Sequence, residues 1–351
     1  MSSPRILRVA LDAMGGDYAP SREVEGAVTA LREKKNVFEL ILVGDEARIR
    51  QELSKHSPEG LAYSIVHASQ VISMEDSPTA AVKQKRDSSL AVGMRLHQEG
   101  KADAFVSAGN TGAVLSASTL ILGRVKGVSR PTIGTFIPSE HGACLLLDAG
   151  TNVDCRARHL FEFAVMGSIY FRKIMKKENP TVALLNVGEE RQKGTEVVLE
   201  AHTMLESSSL NFIGNVEGRD ILKARADVVV CDGFVGNIVL KFGESVPPFL
   251  KSRLLQVAGQ GLWKKVGVGL AKSVLKAALK DMDPNEAGGV PVLGVNGVSI
   301  IGHGSSTSHG IKNMILKAVE VAESRLNLHI EEALAQSVGA PDTAQPVLGT
   351  A

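Results

Sequence analysis

The feature that most constrains the fold is a repeated succession of segments along the chain. A short run rich in Val, Ile and Leu is followed by a turn rich in Gly, Asp and Asn, and then by a helical pattern. Several runs are apolar throughout, as expected of strands that helices cover on both faces. The alternation predicts an α/β protein with a largely parallel sheet. The predicted strands are Leu7–Leu11, Glu39–Val43, Tyr63–Val66, Ala104–Val106, Thr132–Phe136, Cys144–Leu147, Val182–Leu185, Asn211–Ile213, Val228–Cys231 and Val298–Ile301.

Two helix starts are marked by their flanking residues. The pair Pro20-Ser21 precedes Glu23–Leu31, and the pair Gly194-Thr195 precedes Glu196–Leu205. Proline and hydroxyl residues are favoured at the beginning of helices. The last residues, 339–351, are small and include proline, so we expect this tail to be disordered.

The composition excludes several classes of function. Lys and Arg total 39 against 38 Asp and Glu, a net charge of +1, whereas a general nucleic-acid binder is plainly basic. The three cysteines have no CxxC spacing, which favours a reducing cytoplasm over a disulfide framework or a structural zinc site. Two long segments without Asp, Glu, Lys or Arg, 104–123 and 287–311, are rich in Gly and small polar residues. We therefore expect a soluble chain without membrane spans.

Six loops that follow predicted strands are unusually polar and rich in glycine. Ligands of open α/β sheets bind beyond the carboxyl ends of the strands, so we expect these loops to share a cleft. Glycine allows backbone N–H groups to approach an anion closely, and Asn, Ser and Thr add donors. The loops are Asp12–Asp17, Ser107–Gly112, Asp148–Asn152, Asn186–Glu190 with Lys193-Gly194 shortly after it, Asp232–Asn237 and Gly302–Ser306.

These residues predict a site for a small anion, and phosphate fits best. Ser107–Gly112 and Gly302–Ser306 suit an anion of that size, and Lys193 supplies a cation. Alternative interpretations stay open: His303 suits a structural role, Cys231 suits a buried apolar position, and Asp12 suits either a metal site or an Asx turn. The chain has no GxGxxG after its first strand, and no GxxxxGK[ST], GxSxG or HExxH. These absences exclude the commonest dinucleotide, P-loop, esterase and zinc-protease signatures.

Five strings in these regions resemble the signature motifs of the phosphate acyltransferase family, the acyl-acyl-carrier-protein:phosphate acyltransferases. The similarity runs in order from about Ile6 to Asn327. Two departures are mild, because Val235 stands where Thr is expected and Thr151 stands where a small residue is usual. The strings are Val9–Pro20, Ser107–Ala113, Leu147–Asn152, Gly214–Gly218 and Asp232–Asn237.

The resemblance implies a fold and an activity. The fold is a three-layer sandwich with a mostly parallel mixed sheet, as in the isocitrate/isopropylmalate dehydrogenase and phosphotransacetylase group. Residues 4–338 would form one catalytic unit of two intertwined subdomains within a homodimer. The activity is transfer of a long-chain fatty acyl group from acyl carrier protein to inorganic phosphate, giving acyl phosphate for phospholipid synthesis. No cofactor and no metal are implied, and a glycerol-3-phosphate acyltransferase would be a downstream partner.

Two other functions compete with this interpretation. One is phosphotransfer from acyl-CoA or acetyl-CoA, which would use the same anion cleft with a different donor. The other is a scaffold that organises lipid-synthesis enzymes at a membrane.

The family pattern assigns Lys193 and Asn237 to the reacting centre. Phosphate is itself a nucleophile, so the enzyme need mainly position it and stabilise the oxyanion as phosphate attacks the thioester directly. The rival mechanism forms an acyl-enzyme on Cys231. The predicted phosphate- and substrate-binding residues are Asp12, Gly15, Gly16, Ser107, Asn110, Thr111, Asn186, Gly304, Ser305 and Ser306.

A basic amphipathic segment, residues 249–280, stands apart from the loops. It contains seven basic residues and no acidic ones. The uncharged stretch Leu254–Trp263 suits an apolar tip between two helices. Such a segment suits contact with an anionic membrane, with the acidic carrier protein or with the second subunit. The predicted contact residues are Leu254, Leu255, Leu262, Trp263, Lys264, Lys265 and Lys272.

Overall fold

The computed structural model describes residues 6–278 and 280–337. They form a single sheet of eleven strands with helices on both faces. All ten strands predicted from the sequence are present, and the predicted tail at 339–351 lies outside the described residues. The strands are β1 Leu7–Asp12, β2 Phe38–Gly44, β3 Tyr63–His67, β4 Ala104–Ser107, β5 Thr132–Ser139, β6 Gly142–Leu147, β7 Thr181–Leu185, β8 Asn211–Val216, β9 Val228–Val230, β10 Val290–Leu293 and β11 Ser299–Ile301.

The helices begin where the sequence signals place them. Thr195 is an N-cap whose hydroxyl accepts a hydrogen bond from the Val198 amide, and Ser21 follows Pro20 as the first helical residue. The helices are α1 Ser21–Glu33, α2 Glu46–Leu53, α3 Pro78–Gln84, α4 Ser89–Gln98, α5 Thr111–Ala117, α6 Ala157–Met175, α7 Glu196–Glu206, α8 Gly218–Ile221, α9 Gly233–Ala258, α10 Leu262–Ala278, α11 Pro284–Ala287, α12 Ser308–Glu323 and α13 Leu326–Ser337.

The side chains of each strand alternate between two apolar layers. In β1, Val9 and Leu11 belong to an apolar layer that includes residues of α1, α2, α6, α7, α12 and α13, whereas Ala10 belongs to a layer that includes residues of α3, α4 and α5. Helices α8 and α9 extend this second layer over β6, β7 and β9. The predicted three-layer sandwich is therefore confirmed.

The direction of the strands reverses near the centre of the sheet. The strand order is β3-β2-β1-β4-β11-β10-β5-β6-β9-β7-β8. Every neighbouring pair is parallel except β11 with β10, β10 with β5, and β5 with β6. Three antiparallel pairings in succession make β6 antiparallel to β11. The strands β1, β4 and β11 therefore run in one direction, and β6, β9 and β7 run in the other. The ladder partners Ile301–Val290, Val292–Ile133 and Gly134–Leu147 place the carboxyl ends of β11 and β6 at nearly the same level of the sheet.

Candidate active site

The six polar loops fall into two groups. The first group follows β1, β4 and β11, and the second follows β6, β9 and β7. The sequence predicts one cleft for all six loops, and the two groups point toward each other from opposite halves of the sheet. Within the first group the loops bond directly, since the Asp17 amide donates to the Gly304 carbonyl at 2.9 Å and the Gly302 amide donates to the Ser107 carbonyl at 2.9 Å.

Asp12 and Ser107 lie beneath the surface of the first group. Asp12 is 2% exposed and Ser107 is wholly buried. The Ser107 hydroxyl donates to Asp12 Oδ2 at 2.8 Å and accepts from the Gly109 amide at 3.0 Å, while Asp12 Oδ1 accepts from the Met14 amide at 3.2 Å. Burial raises the pKa of Asp12 above its ordinary value. Both predicted binding residues thus order the loops internally. Gly15 is required there, because a Cβ would lie 2.8 Å from the Ser107 hydroxyl.

Asn110 connects the first group to a neighbouring turn. Its Oδ1 accepts from the Ala113 amide and caps α5. Its Nδ2 lies 3.2–3.3 Å from the carbonyl oxygens of three residues, Ser73, Met74 and Asp76. Thr111, the next residue, is exposed and begins the helix. Asn110 therefore fixes the start of α5, and Thr111 is the solvent-exposed residue beside it.

The loop Gly302–Ser306 is held from outside by Arg22. The guanidinium donates to the carbonyls of Ser305 and Ser306 at 2.8 and 3.1 Å, and it stacks 3.5 Å above the ring of Tyr18. His303 Nδ1 hydrogen-bonds the Ser305 hydroxyl at 2.8 Å within the loop, which agrees with a structural role. Ser305 is exposed and Ser306 is half-buried.

Glu23 is a member of the first group that sequence analysis missed. It is 2% exposed, its Oε1 occupies the space that a Cβ on Gly16 would need, and its Oε2 has no hydrogen-bond partner. Burial raises its pKa to about 8. In the sequence it resembles any acidic residue in the first turn of a helix, where the helix dipole favours a carboxylate.

Asp148 organises the second group. It is wholly buried, and its carboxylate accepts hydrogen bonds from the amides of Gly150, Thr151 and Asn152 at 2.7–2.9 Å and from Asn152 Nδ2 at 2.7 Å. The Gly233 amide donates to the Asn152 carbonyl at 2.8 Å. The loops after β6 and β9 are therefore joined into one rigid surface.

Asn237 emerges from this surface in the first turn of α9. The position of a Cβ on Gly150 lies only 3.2 Å from the Asn237 Cβ, so Gly150 makes room for the asparagine. Asn237 is exposed. Among the residues that the structure describes, its amide has no hydrogen-bond partner.

Lys193 is presented by the turn after β7. Asn186 Nδ2 donates to the Lys193 carbonyl at 2.9 Å, and Asn186 Oδ1 accepts from the Val187 amide at 2.8 Å. The side chain of Lys193 is exposed. Its ammonium has no ion-pair partner within residues 6–278 and 280–337, although Arg191 nearby pairs with Glu206 at 2.7 Å. The second group therefore combines a free ammonium and a free amide at the ends of two neighbouring strands.

Cys231 lies at the end of β9 but faces inward. It is 5% exposed, and its Sγ lies 3.8 Å from the Asp148 carbonyl oxygen. Burial raises the pKa of the thiol well above its ordinary value, and the carboxylates of Asp148 and Asp232 add to the effect. Because the thiolate is the nucleophilic form, this environment does not favour an acyl-enzyme.

The basic segment forms a hairpin of two helices. It runs from the second half of α9 through a turn at 259–261 into α10. Leu262 and Trp263 are 74% and 87% exposed at the tip. Leu254 is half-buried, whereas Leu255, Lys264, Lys265 and Lys272 are exposed. The side chain of Lys276 lies outside the described part. No described helix combines the length and the apolar character needed to span a bilayer.

The chain is similar to known proteins over almost its whole length. A family model described as fatty acid synthesis protein matches residues 7–329. The phosphate acyltransferase of Chlorobaculum parvum is 47% identical over 334 residues, which cover 93% of this chain and 98% of that protein. The phosphate acyltransferase of Heliobacterium modesticaldum is 48% identical over 327 residues, covering 93% and 97%.

Solved structures share the fold at low sequence identity. A phosphotransacetylase from Streptococcus pyogenes superposes with a TM-score of 0.61 at 18% identity, covering 92% of this chain and 95% of that chain. A branched-chain phosphotransacylase from Enterococcus faecalis gives 0.55 at 13% identity, covering 93% and 100%. A 4-hydroxythreonine-4-phosphate dehydrogenase from Salmonella typhimurium gives 0.52. The ordered motifs, the sheet and the full-length similarity together show that the chain belongs to the phosphate acyltransferase family of fatty acid synthesis proteins and is an acyltransferase.

Proposed function

We propose that this acyltransferase moves a long-chain fatty acyl group from acyl carrier protein to inorganic phosphate, giving acyl phosphate for phospholipid synthesis. The supporting observation is the pair Lys193 and Asn237. Their polar ends are exposed and unpartnered among the described residues, and they follow β7 and β9, which are neighbours in the sheet. A site for an anionic nucleophile and a carbonyl oxygen needs such free donors.

In the proposed reaction a phosphate oxygen attacks the thioester carbonyl carbon. A C–O bond forms, the carbonyl oxygen becomes an oxyanion, and collapse of the tetrahedral intermediate breaks the C–S bond. The carrier leaves as a thiolate that takes up a proton. The Lys193 ammonium orients phosphate or stabilises the oxyanion, and the Asn237 amide donates a hydrogen bond to the same centre. Asn186 fixes the backbone from which Lys193 extends.

The first group of loops supplies further contacts in this proposal. Its exposed or half-buried hydroxyls, Thr111, Ser305 and Ser306, are free to contact phosphate or the carrier's prosthetic arm. Gly16 and Gly304 allow close packing within the group, because a Cβ on Gly16 would overlap Glu23 and a Cβ on Gly304 would lie 2.6 Å from Asp17 Oδ1. Asp12, Ser107 and Asn110 hold the loops in place through their hydrogen bonds.

The hairpin is proposed as a peripheral membrane contact. Exposed Leu262 and Trp263 at the tip, flanked by Lys264 and Lys265, suit the interface of an anionic bilayer. The same surface suits acyl carrier protein or the second subunit of a homodimer. Those two alternatives are outcomes of the binding tests described in the Discussion.

The function is tested with purified protein, long-chain acyl carrier protein and inorganic phosphate. Formation of acyl phosphate in amounts equal to the released carrier thiol is the expected result. Acyl-CoA and acetyl-CoA at the same concentration form the comparison. Faster transfer from a coenzyme A thioester would favour the alternative phosphotransferase, and no transfer from either donor would favour a scaffold.

A further inference from the structure

The turn that carries Lys193 is tied to the sheet at two carbonyl oxygens, that of Lys193, which accepts from Asn186 Nδ2, and that of Glu190. The carbonyl of Glu190 accepts a hydrogen bond from the Lys193 amide at 3.1 Å and a second from Asn215 Nδ2 at 2.9 Å. The Asn215 side chain and the Lys193 main chain therefore share one acceptor, the Glu190 carbonyl oxygen.

Asn215 is placed for this contact by the sheet. It lies near the end of β8, in register with Leu184 of the neighbouring β7, and it is 3% exposed. Its Oδ1 is buried without a hydrogen-bond partner. Burying an oxygen that has no hydrogen-bond partner is unfavourable. The hydrogen bond from Asn215 Nδ2 to the Glu190 carbonyl, rather than packing, therefore explains an asparagine at this position.

The outer side of the same turn is held by charge. Arg225 pairs with Glu189, the residue before Glu190, and its guanidinium also lies 3.7 Å from Asp220. Asp220 in turn accepts from the Glu217 amide at 3.0 Å at the start of α8. The turn is thus fixed at two consecutive residues, on the buried side by Asn215 and on the exposed side by Arg225.

We propose that Asn215 is a positioning residue that sets the location of the Lys193 ammonium by fixing the Glu190 carbonyl. The inference rests on the proposed role of Lys193 in the acyl transfer. Asn215 does not touch the reacting atoms. It lowers the freedom of the turn, so that the ammonium is already placed when phosphate and thioester meet.

The experiment compares Asn215→Ala with Asn211→Ala. Asn211 is the matched control, because it lies on the same strand and its amide donates to the Asn179 carbonyl at 3.3 Å, away from the turn. For Asn215→Ala we expect kcat to fall about 10- to 100-fold, since small misplacement of a catalytic group has effects of this size. The KM for the acyl donor should stay within about twofold, and Asn211→Ala should behave like the wild type.

A second readout does not depend on activity. Loss of the Asn215 bond should speed hydrogen exchange of the Lys193 amide and its neighbours in the turn, with no change in β7 or β8. Exchange that accelerates across the whole sheet, or a kcat equal to that of the wild type, would overturn the proposal. Should Asn215→Ala fail to fold, Arg225→Gln loosens the same turn from the surface, and an unchanged kcat in that variant counts against the inference.

The outcomes separate this inference from the proposed function. An active Lys193→Ala enzyme would remove the role of Lys193 itself. An inactive Lys193→Ala enzyme together with a fully active Asn215→Ala enzyme would leave the function standing and would reject only the positioning role.

Discussion

Gly236, in the first turn of α9, lies directly against the backbone carbonyl of Asp148. A Cβ at this position would overlap that carbonyl oxygen and would lie 3.0 Å from the Sγ of Cys231. The glycine is thus the point at which the helix that carries Asn237 closes onto the loop after β6. Because Gly236 has no Cβ, the first turn of α9 can pack directly against the Asp148 carbonyl.

Replacing Gly236 by alanine should therefore destabilise the protein. The new methyl group must displace backbone rather than a flexible side chain, and overpacking of this kind costs about 1–3 kcal/mol. Chemical denaturation measures the change in the free energy of unfolding. Gly243→Ala, on the same helix with nothing within 4 Å of the added Cβ, is the control and should be neutral or slightly stabilising. Equal stabilities of the two variants would contradict the packing argument.

Lys193→Ala should remove most of the acyl transfer to phosphate. Loss of one donor to a developing oxyanion lowers kcat by about 100- to 1,000-fold in comparable enzymes. The side chain is exposed and unpaired in the described structure, so the thermal midpoint and the oligomeric state should not change. Arg191→Ala, two residues away and likewise exposed, is the control. Near-normal turnover of Lys193→Ala would remove this residue from the mechanism.

Cys231→Ser should remain active. The thiol is buried and its pKa is raised above its ordinary value by burial, so it is not a thiolate at neutral pH. Activity within a few-fold of the wild type is expected, together with no covalent acyl-protein in mass spectra of stopped reactions. An inactive but folded Cys231→Ser protein would support the acyl-enzyme mechanism instead.

Glu23→Gln should change how stability depends on pH. The pKa of Glu23 is raised from 4.5 to about 8 in the folded protein, first of all by burial. The folded state therefore holds a proton that the unfolded state releases, and stability falls as the pH rises from about 4.5 to 8. The slope is about 1.4 kcal/mol per pH unit for one proton.

The variant lacks this titration, so its stability relative to the wild type should grow between pH 5 and pH 8 in urea denaturation. Glu25→Gln, an exposed position on the same helix, should follow the wild type. Parallel curves for wild type and Glu23→Gln would show that Glu23 is ionised in the folded state.

Leu262→Ala combined with Trp263→Ala should weaken binding to anionic vesicles. Both side chains are exposed at the tip of the hairpin, and burying them in the interface contributes about 25 cal/mol per Å² of apolar surface. Flotation with vesicles containing phosphatidylglycerol measures the effect, and raised salt should reduce binding of the wild type. Val274→Ala on the same helix is the control.

Two other results would assign the hairpin to a partner other than the membrane. Loss of carrier-protein binding in the double variant, with flotation unchanged, would favour the carrier. A shift from dimer to monomer in sedimentation would favour the second subunit.

Much of the fold follows from local sequence patterns. The ten predicted runs form strands, and the central ones are apolar because helices cover both faces of the sheet. The strand Val290–Leu293 was missed, since it is short, follows two glycines and contains Pro291, which cannot donate to the ladder. The reversal of direction at β10 and β5 was also not predictable, because pairing direction depends on contacts between distant segments.

The candidate site was predictable as a set of loops but not in its internal roles. Asp12 and Ser107, which the sequence predicts as ligand contacts, hydrogen-bond to each other beneath the loops. Burial of that kind depends on tertiary packing and leaves no periodic signal in the sequence. Asn215 lies in the string Gly214–Gly218, which carried the family resemblance, but its bond to Glu190 joins β8 to the turn after β7 and becomes visible only in three dimensions.

The reversal of strand direction also shapes the electric field of the molecule. In a sheet whose strands all run one way, the dipoles of the covering helices add and make one edge positive. Here α1, α5 and α12 follow strands of one direction, whereas α7 and α9 follow strands of the other, so the dipoles of the two halves largely cancel. The net charge of +1 divides into +7 on the acid-free segment 249–280 and −6 on the remainder of the chain, so the far field is that of two unlike regions. An approaching acidic partner would be oriented by the hairpin first and would meet the polar loops only at close range.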